Sequence, residues 1–380
     1  MVYRTSGAFY RFLNYIKSPI QETSVFYSFL RKMSENMDKK VKIGTHNGVF
    51  HCNEVFACVL LKLLPQYMNA TIVRSRDQDI LDKCDIVVDV GGVYDHSAHR
   101  YDHHMREFRQ TLHTVLKNPN YDDLIKLSSA GLIYCHFGHE ILRNLFPEVK
   151  DEDIEAIFKY IYDTLIVEIN DIDTYSGGKQ LYSTCTNLSS QVKHLNPPWN
   201  STNMNEEGQF EKAMALVLDV FMNFVTRAEK IWLPAKEVVR NAVANRFTVD
   251  PSGEIIELSE PVPWEEHLFT LEEELTLIPS IKFVIYSRKG ENRVQAVPSR
   301  YTDHRCRFDL PNKWWGLRDD TLVAACGIEG AIFVHATGFI GGHKTRDGTL
   351  AMTREALKII KYVDPMHDER LCRPWLFNKD

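Results

Sequence analysis

Asp85-Ile86-Val87-Val88-Asp89-Val90-Gly91-Gly92 decides the fold of this chain: a β-branched apolar run with an acid at its end and a glycine pair to stop it. A short continuous run of that kind is expected to be a strand buried on both faces, as in a parallel sheet. Working outward, Val41 to Thr45 and Ala70 to Val73 are two more such runs, and the spacing predicts a helix between them through Ala57 to Leu64. β-rich runs alternating with helices imply an α/β domain. Asp89 then falls near the carboxyl end of its strand, the edge at which open α/β sheets bind ligands.

Downstream, two helices are expected over Ser128 to Leu145 and Asp151 to Asp173, the second with Ile154, Ile157, Phe158, Ile161, Leu165, Ile169 and Ile172 on one apolar stripe. Glu168, Asn170, Asp171 and Asp173 lie off that stripe, at a helix end before Gly177-Gly178 where polar groups can reach a cleft. Asn196-Pro197-Pro198-Trp199-Asn200 and the polar stretch to Glu207 break the pattern and read as a domain boundary. The expected layout is therefore an N-terminal segment 1–40, a parallel-sheet domain 41–200 and a second α/β domain with a mixed sheet, 201–380. The last contains a helical region around Gln209 to Ala244, strands at Ile281 to Ser287, Arg293 to Val297 and Ala331 to His335, and a final helix near Thr349 to Tyr362.

Of the 380 residues 44% are hydrophobic and 25% charged, the balance of a chain with packed cores. The best membrane candidate, Ala213 to Val225, is shorter than the roughly 20 residues a span needs and contains Asp219, so no span is expected. Eight cysteines with no CxxC pair read as reduced thiols. A net charge of −6 excludes a protein that coats nucleic acid by bulk electrostatics, so a phosphate-bearing substrate has to be held locally, by a metal or a small basic cluster. Up to Gln21 the chain carries Arg4, Arg11 and Lys17 and no acid, interspersed with aromatic and aliphatic residues. That composition suits a mitochondrial presequence; the alternative is a basic N-terminal arm.

Three clusters of hard-metal or general-base side chains fall in the first domain: His46 with His51, Asn53 and Glu54; Asp89; and Asp102-His103-His104. Each follows or ends an expected strand, so one sheet edge can bring them together. Imidazoles and carboxylates suit Mn, Mg, Zn or Fe, and two such ions about 4 Å apart are a standard device for in-line attack on a phosphodiester. A run of three such groups is costly to bury unless they share partners, which favours a site for Asp102-His103-His104. His96, His99, His136 and His139 read instead as satisfied polar residues. In the second domain Gly338 to Arg346 is expected to form a glycine turn between strand and helix. Gly341 and Gly342 would leave amides free, and His343, Lys344 and Arg346 would supply donors to a phosphate or RNA backbone.

Gly44 to Glu54, Val87 to Gly92, Arg100 to His104, Leu127 to Tyr134 and Gly338 to Arg346 together resemble the MYG (melanocyte-proliferating-gene) exonuclease family, over most of the chain from about Val41 to Lys361. The resemblance implies a DHH-phosphoesterase-like first domain, a 3′→5′ exonuclease activity on RNA in mitochondria with nucleus or cytoplasm as alternatives, and one or two Mn2+ or Mg2+ ions. It places His46, His51 and Asp89 at one metal position and Asn53, Asp89, His103 and Asn170 at the other, with His104 near the scissile phosphate and Asp102 in the same catalytic group. It also implies Asp where this chain has Asn53 and Asn170. Three readings follow from that departure: a weakened RNA exonuclease, a catalytically silent relative that keeps RNA or partner binding, and a hydrolase of small phosphates.

Overall fold

The computed structural model describes residues 41–119, 121, 125–174, 184–201, 205–299 and 305–363, with backbone only for 171–174 and 360–363. The expected targeting segment 1–40 and the Gly177-Gly178 helix end lie outside the described residues. The chain divides into two compact units, one ending at Ala228 and the other beginning at Glu229.

The first unit contains, in chain order, β1 (Lys42–Thr45), α1 (Cys52–Lys62), β2 (Thr71–Arg74), α2 (Gln78–Leu81), β3 (Ile86–Val88), β4 (Tyr94–Asp95) and β5 (Arg100–Tyr101). Helices α3 (Leu112–Leu116), α4 (Ser129–Leu145), α5 (Asp151–Ile161), α6 (Val167–Thr174), α7 (Leu188–His194) and α8 (Glu206–Arg227) follow, with a π-helical turn, Tyr162–Ile166, between α5 and α6. The sheet order is β2-β1-β3-β5-β4. β2, β1, β3 and β5 run parallel, and β4 folds back antiparallel on β5. The chain leaves β1 to one side for β2 and returns to its other side for β3. Such a reversal opens a crevice at the carboxyl ends of the strands, here at Thr45, Val88 and Tyr101.

Ser128 caps α4 by accepting from the Gly131 amide. Gly131 faces Asn170, and a Cβ there would lie 2.4 Å from Asn170 Oδ1. Alanine in a helix ordinarily stabilises by about 1 kcal/mol over glycine. Gly131→Ala is nevertheless expected to lower stability by about 1–3 kcal/mol, because the buried amide has to move. A urea midpoint equal to or above that of the parent would show that Asn170 steps aside.

The expected boundary at residue 200 is displaced. The Asn196-Pro197-Pro198 break belongs to the first unit, because the Asn196 side chain pairs both backbone groups of Phe50: Phe50 N donates to Oδ1 at 2.9 Å and Nδ2 donates to Phe50 O at 2.8 Å. Helix α8 then packs on the same unit through edge-on contacts of Phe210 with Phe50 and of Phe221 with Phe56, at 5.5 and 5.7 Å between ring centroids. The Arg74 guanidinium lies over both Phe50 and Phe210. Polar and proline residues mark a turn here, and the apolar face of the next helix decides which core it joins.

The second unit contains α9 (Leu233–Ala244), α10 (Arg246–Val249), β6 (Ile255–Leu258), α11 (Glu265–Glu274), β7 (Phe283–Arg288), β8 (Glu291–Ala296), α12 (Asp319–Cys326), β9 (Ala331–Val334), β10 (Ile340–His343) and α13 (Arg346–Val363). Its sheet is mixed, in the order β6-β7-β8-β10-β9, with β6 and β7 parallel and the other pairs antiparallel. One core joins Val239, Val243, Ile256, Leu268 and Val284. The other joins Phe283, Val294, Trp314, Leu322, Met352 and Ala356. No described helix is long and apolar enough to cross a membrane.

Candidate metal centre

Three neighbouring parallel strands deliver the polar groups. His46 follows β1, Asp89 follows β3, and Asp102 to His104 follow β5. Asp89 adopts a left-handed backbone, φ 62°, which a short polar side chain tolerates better than a branched one and which is frequent at functional sites. Its carboxylate is the hub. Oδ1 accepts from Ser129 Oγ at 3.1 Å and lies 3.1 Å from His103 Nε2. Oδ2 accepts from Asn53 Nδ2 at 3.1 Å and lies 3.5 Å from His46 Nε2.

Burial would raise the Asp89 carboxyl, but hydrogen bonds from His103 and His46 outweigh it and hold the group well below the ordinary carboxylate range. Burial would likewise lower His46, yet Asp89 and Glu54 push its pKa up to about 10. An imidazole between two carboxylates is a place where a cation is wanted.

Asp102 organises the turn that carries the histidines. Its Oδ2 accepts from Gly92 N at 2.6 Å, and its Oδ1 accepts from His103 N at 2.8 Å and lies 2.7 Å from His104 Nδ1. Asp102 thereby ties the turn to Gly92 and orients both histidines. The Asp102 hydrogen bond, the largest influence on His104, raises that imidazole, whose ring is largely exposed.

Among the described residues, two groups have donor atoms close enough to hold an ion, each set within 4.8 Å: His46, His51 and Glu54, and Asp89, His103 and His104. Glu54 belongs to the first sequence cluster but is not among the ligands expected there. It stands three residues into the capping box of α1, where its Oε1 accepts from His51 N at 2.6 Å and lies 3.0 Å from His46 Nε2. Its Oε2 is buried without a hydrogen-bond partner among the described residues. An orphaned carboxylate oxygen beside two imidazoles fits a divalent cation.

The second expected position fits poorly. Asn53 points its Nδ2 at Asp89 and leaves Oδ1 buried and unpartnered among the described residues. Asn170 is not turned to a metal. Its Oδ1 accepts from Ser128 N at 3.0 Å and from Ser128 Oγ at 2.8 Å. A backbone N–H only donates, so this orientation is fixed, and the remaining Nδ2 has no lone pair to offer a cation. Asn170 therefore anchors the start of α4. The side chains of Asp171 and Asp173 lie outside the described residues.

The expected glycine turn in the second unit is also corrected. Gly341 and Gly342 lie in β10, paired with β8 on one side and β9 on the other, so their amides belong to the sheet. A Cβ on Gly342 would lie 2.7 Å from both Arg293 Nη1 and the Phe333 ring, which explains the small residue without a ligand. His343 is buried, with Nε2 2.8 Å from Glu329 O and Nδ1 accepting from Thr345 N at 2.9 Å. Arg346 is exposed but pairs with Glu257 and Asp347, so of the expected phosphate donors Lys344 is the cation left facing solvent. His96, His136 and His139 are engaged with Tyr101, Tyr94 and Glu155 respectively.

The model of the MYG1 exonuclease family, described as Uncharacterised protein family (UPF0160), matches residues 42–357. The chain is 45% identical over 334 residues to "MYG1 exonuclease" of Rattus norvegicus, covering 86% of this chain and 87% of that one. To "MYG1 exonuclease" of Homo sapiens it is 46% identical over 329 residues, covering 85% and 87%. Among solved structures, RecJ of Thermus thermophilus in complex with Mn2+ is 10% identical, over 97% of this chain and 63% of that one, at a TM-score of 0.23 that bears on neither fold nor chemistry. Family model and relatives both span most of the chain, and on that ground the chain belongs to the MYG1 exonuclease family.

Proposed function

We propose that this protein is a metal-dependent phosphodiesterase that trims RNA from its 3′ end in the mitochondrial matrix. The observation that carries the chemistry is the pair of donor groups, His46–His51–Glu54 and Asp89–His103–His104, set against each other at the carboxyl ends of adjacent strands. Family membership and the names of the relatives support the nuclease reading. Mn2+ or Mg2+ suits the mixed imidazole and carboxylate donors.

When bound, the cation polarises phosphoryl oxygens and lowers the pKa of water. The chain supplies the rest. His46, Glu54, Asp89 and His103 are packed below the surface and fix the floor. His51, His104 and Arg76 are exposed at its rim, with Arg76 Nη2 3.4 Å from His46 Nδ1. Arg76 can take a non-bridging phosphate oxygen. His104, biased toward its charged form by Asp102, can give a proton to the 3′ oxygen released when the P–O3′ bond breaks.

A 5′-labelled RNA incubated with the full chain is expected to shorten progressively from its 3′ end in Mn2+ and to stay intact in EDTA. Intact RNA in both, with the RNA bound, would replace the enzyme by the silent binding protein that the amides Asn53 and Asn170 otherwise favour. For the compartment, the support is the acid-free basic start of the chain. A fluorescent fusion of residues 1–40 that stays in the cytosol would overturn that part alone.

A further inference from the structure

We infer, building on the metal-dependent reading above, that the chain holds one resident divalent cation, on His46, His51, Glu54 and Asp89, and that the Asn53 amide stands in place of a second.

Ligand atoms about 2.1 Å from one ion lie about 3.0 Å apart at an octahedral edge and about 3.4 Å apart at a tetrahedral one. His46 Nε2 stands 3.0 Å from Glu54 Oε1 and 3.5 Å from Asp89 Oδ2. Those separations already suit a common ion. Glu54 Oε2 has no other claim on it among the described residues. Two carboxylates and two imidazoles give this position a net ligand charge of −2, the kind of set a hard cation binds.

The other side of Asp89 differs. His103 Nε2 lies 3.1 Å and His104 Nδ1 3.8 Å from Oδ1, but where the resemblance implies two further carboxylates this side has the amides Asn53 and Asn170. Turning the Asn53 side chain over would press its Oδ1 against an ionised carboxylate oxygen at about the present 3.1 Å, so Nδ2 is held toward Asp89. That N–H already supplies the positive end that a second cation would bring. An aspartate at position 53 would put two carboxylates at that distance, which a buried site tolerates only with a cation or a proton between them. The Asn170 amide, turned to Ser128, adds no charge. A second ion would therefore find one carboxylate, already shared.

The test is Mn2+ binding without RNA, followed by electron paramagnetic resonance of the free ion on the full chain. The parent is expected to bind one ion per chain and Asn53→Asp two. Glu54→Gln is expected to bind the first ion at least about tenfold more weakly. Thermal melts give a second readout: in EDTA Asn53→Asp should melt below the parent, and Mn2+ should raise its midpoint by more than it raises that of the parent. Should Glu54→Gln fail to fold, stoichiometry and the Asn53→Asp melts decide. Two ions of similar affinity in the parent, no gain in Asn53→Asp, or unchanged binding by a folded Glu54→Gln would each overturn the inference. Two ions with RNA trimming would refute it and leave the exonuclease standing. One ion without trimming would do the reverse.

Discussion

Asp89→Asn is expected to slow RNA trimming by at least about a thousandfold, roughly 4 kcal/mol of transition-state stabilisation, while leaving the fold in place. Loss of a mere supporting hydrogen bond around a metal ligand costs about 10–100-fold. The larger figure is expected because Asp89 joins the two donor groups: one oxygen faces His103 and Ser129, the other faces Asn53 and lies near His46. Asparagine is the informative replacement, since it tolerates the left-handed backbone at φ 62° and keeps the side-chain shape while removing the charge. The measurement is the initial rate of shortening of a labelled RNA in saturating Mn2+, with circular dichroism to confirm folding. Parent-level trimming by a folded Asp89→Asn would sink the assignment of this carboxylate, and with it the metal centre.

That hub is legible in the sequence alone, because Asp89 closes an apolar run and glycines follow it. A parallel strand ending in an acid has few places to go but the ligand edge. His46 and the Asp102-His103-His104 run are legible for the same reason, although β4 and β5 are two-residue strands too short for any pattern to announce. Glu54 stands in the first sequence cluster although the resemblance leaves it out of the ligand set. Its signal is present in the spacing, an acid three residues after the residue that caps α1.

Other misreadings share one cause, tertiary context overriding a local signal. Gly341-Gly342 carries the strongest punctuation a sequence offers, yet the pair sits in a strand, where Arg293 and Phe333 cross above Gly342 and leave no room for a Cβ. Asn170, expected to reach a cleft, is fully buried, and its amide oxygen is taken by Ser128, the cap of α4. Asn196-Pro197-Pro198 reads as a linker until the Asn196 amide is seen to pair with Phe50, a contact 146 residues away in sequence. Periodicity cannot report a partner that distant.

Lys282→Met is expected to destabilise the second unit by about 3–5 kcal/mol, the cost of removing one member of a buried ion pair. Lys282 and Glu254 are 2% and 1% exposed, their charged ends are joined, and Lys282 N also donates to Glu254 O at 2.8 Å, so side chain and backbone register coincide. The Lys282 ammonium lies over the Phe308 ring, 5.4 Å from its centroid. Lys282→Met with Glu254→Leu is expected to recover most of the loss, because an apolar pair of similar volume avoids desolvating two charges. With two units the global unfolding curve need not be two-state, so hydrogen exchange of the β6 and β7 amides localises the effect. A single variant that loses less than about 1 kcal/mol, or a double variant that simply adds the two losses, would mean that the carboxylate is neutralised by other means and that the pair is not coupled. Recovery in the double variant would instead show that the ion pair adds little net stability over apolar residues of similar volume, because the cost of desolvating two charges offsets their attraction.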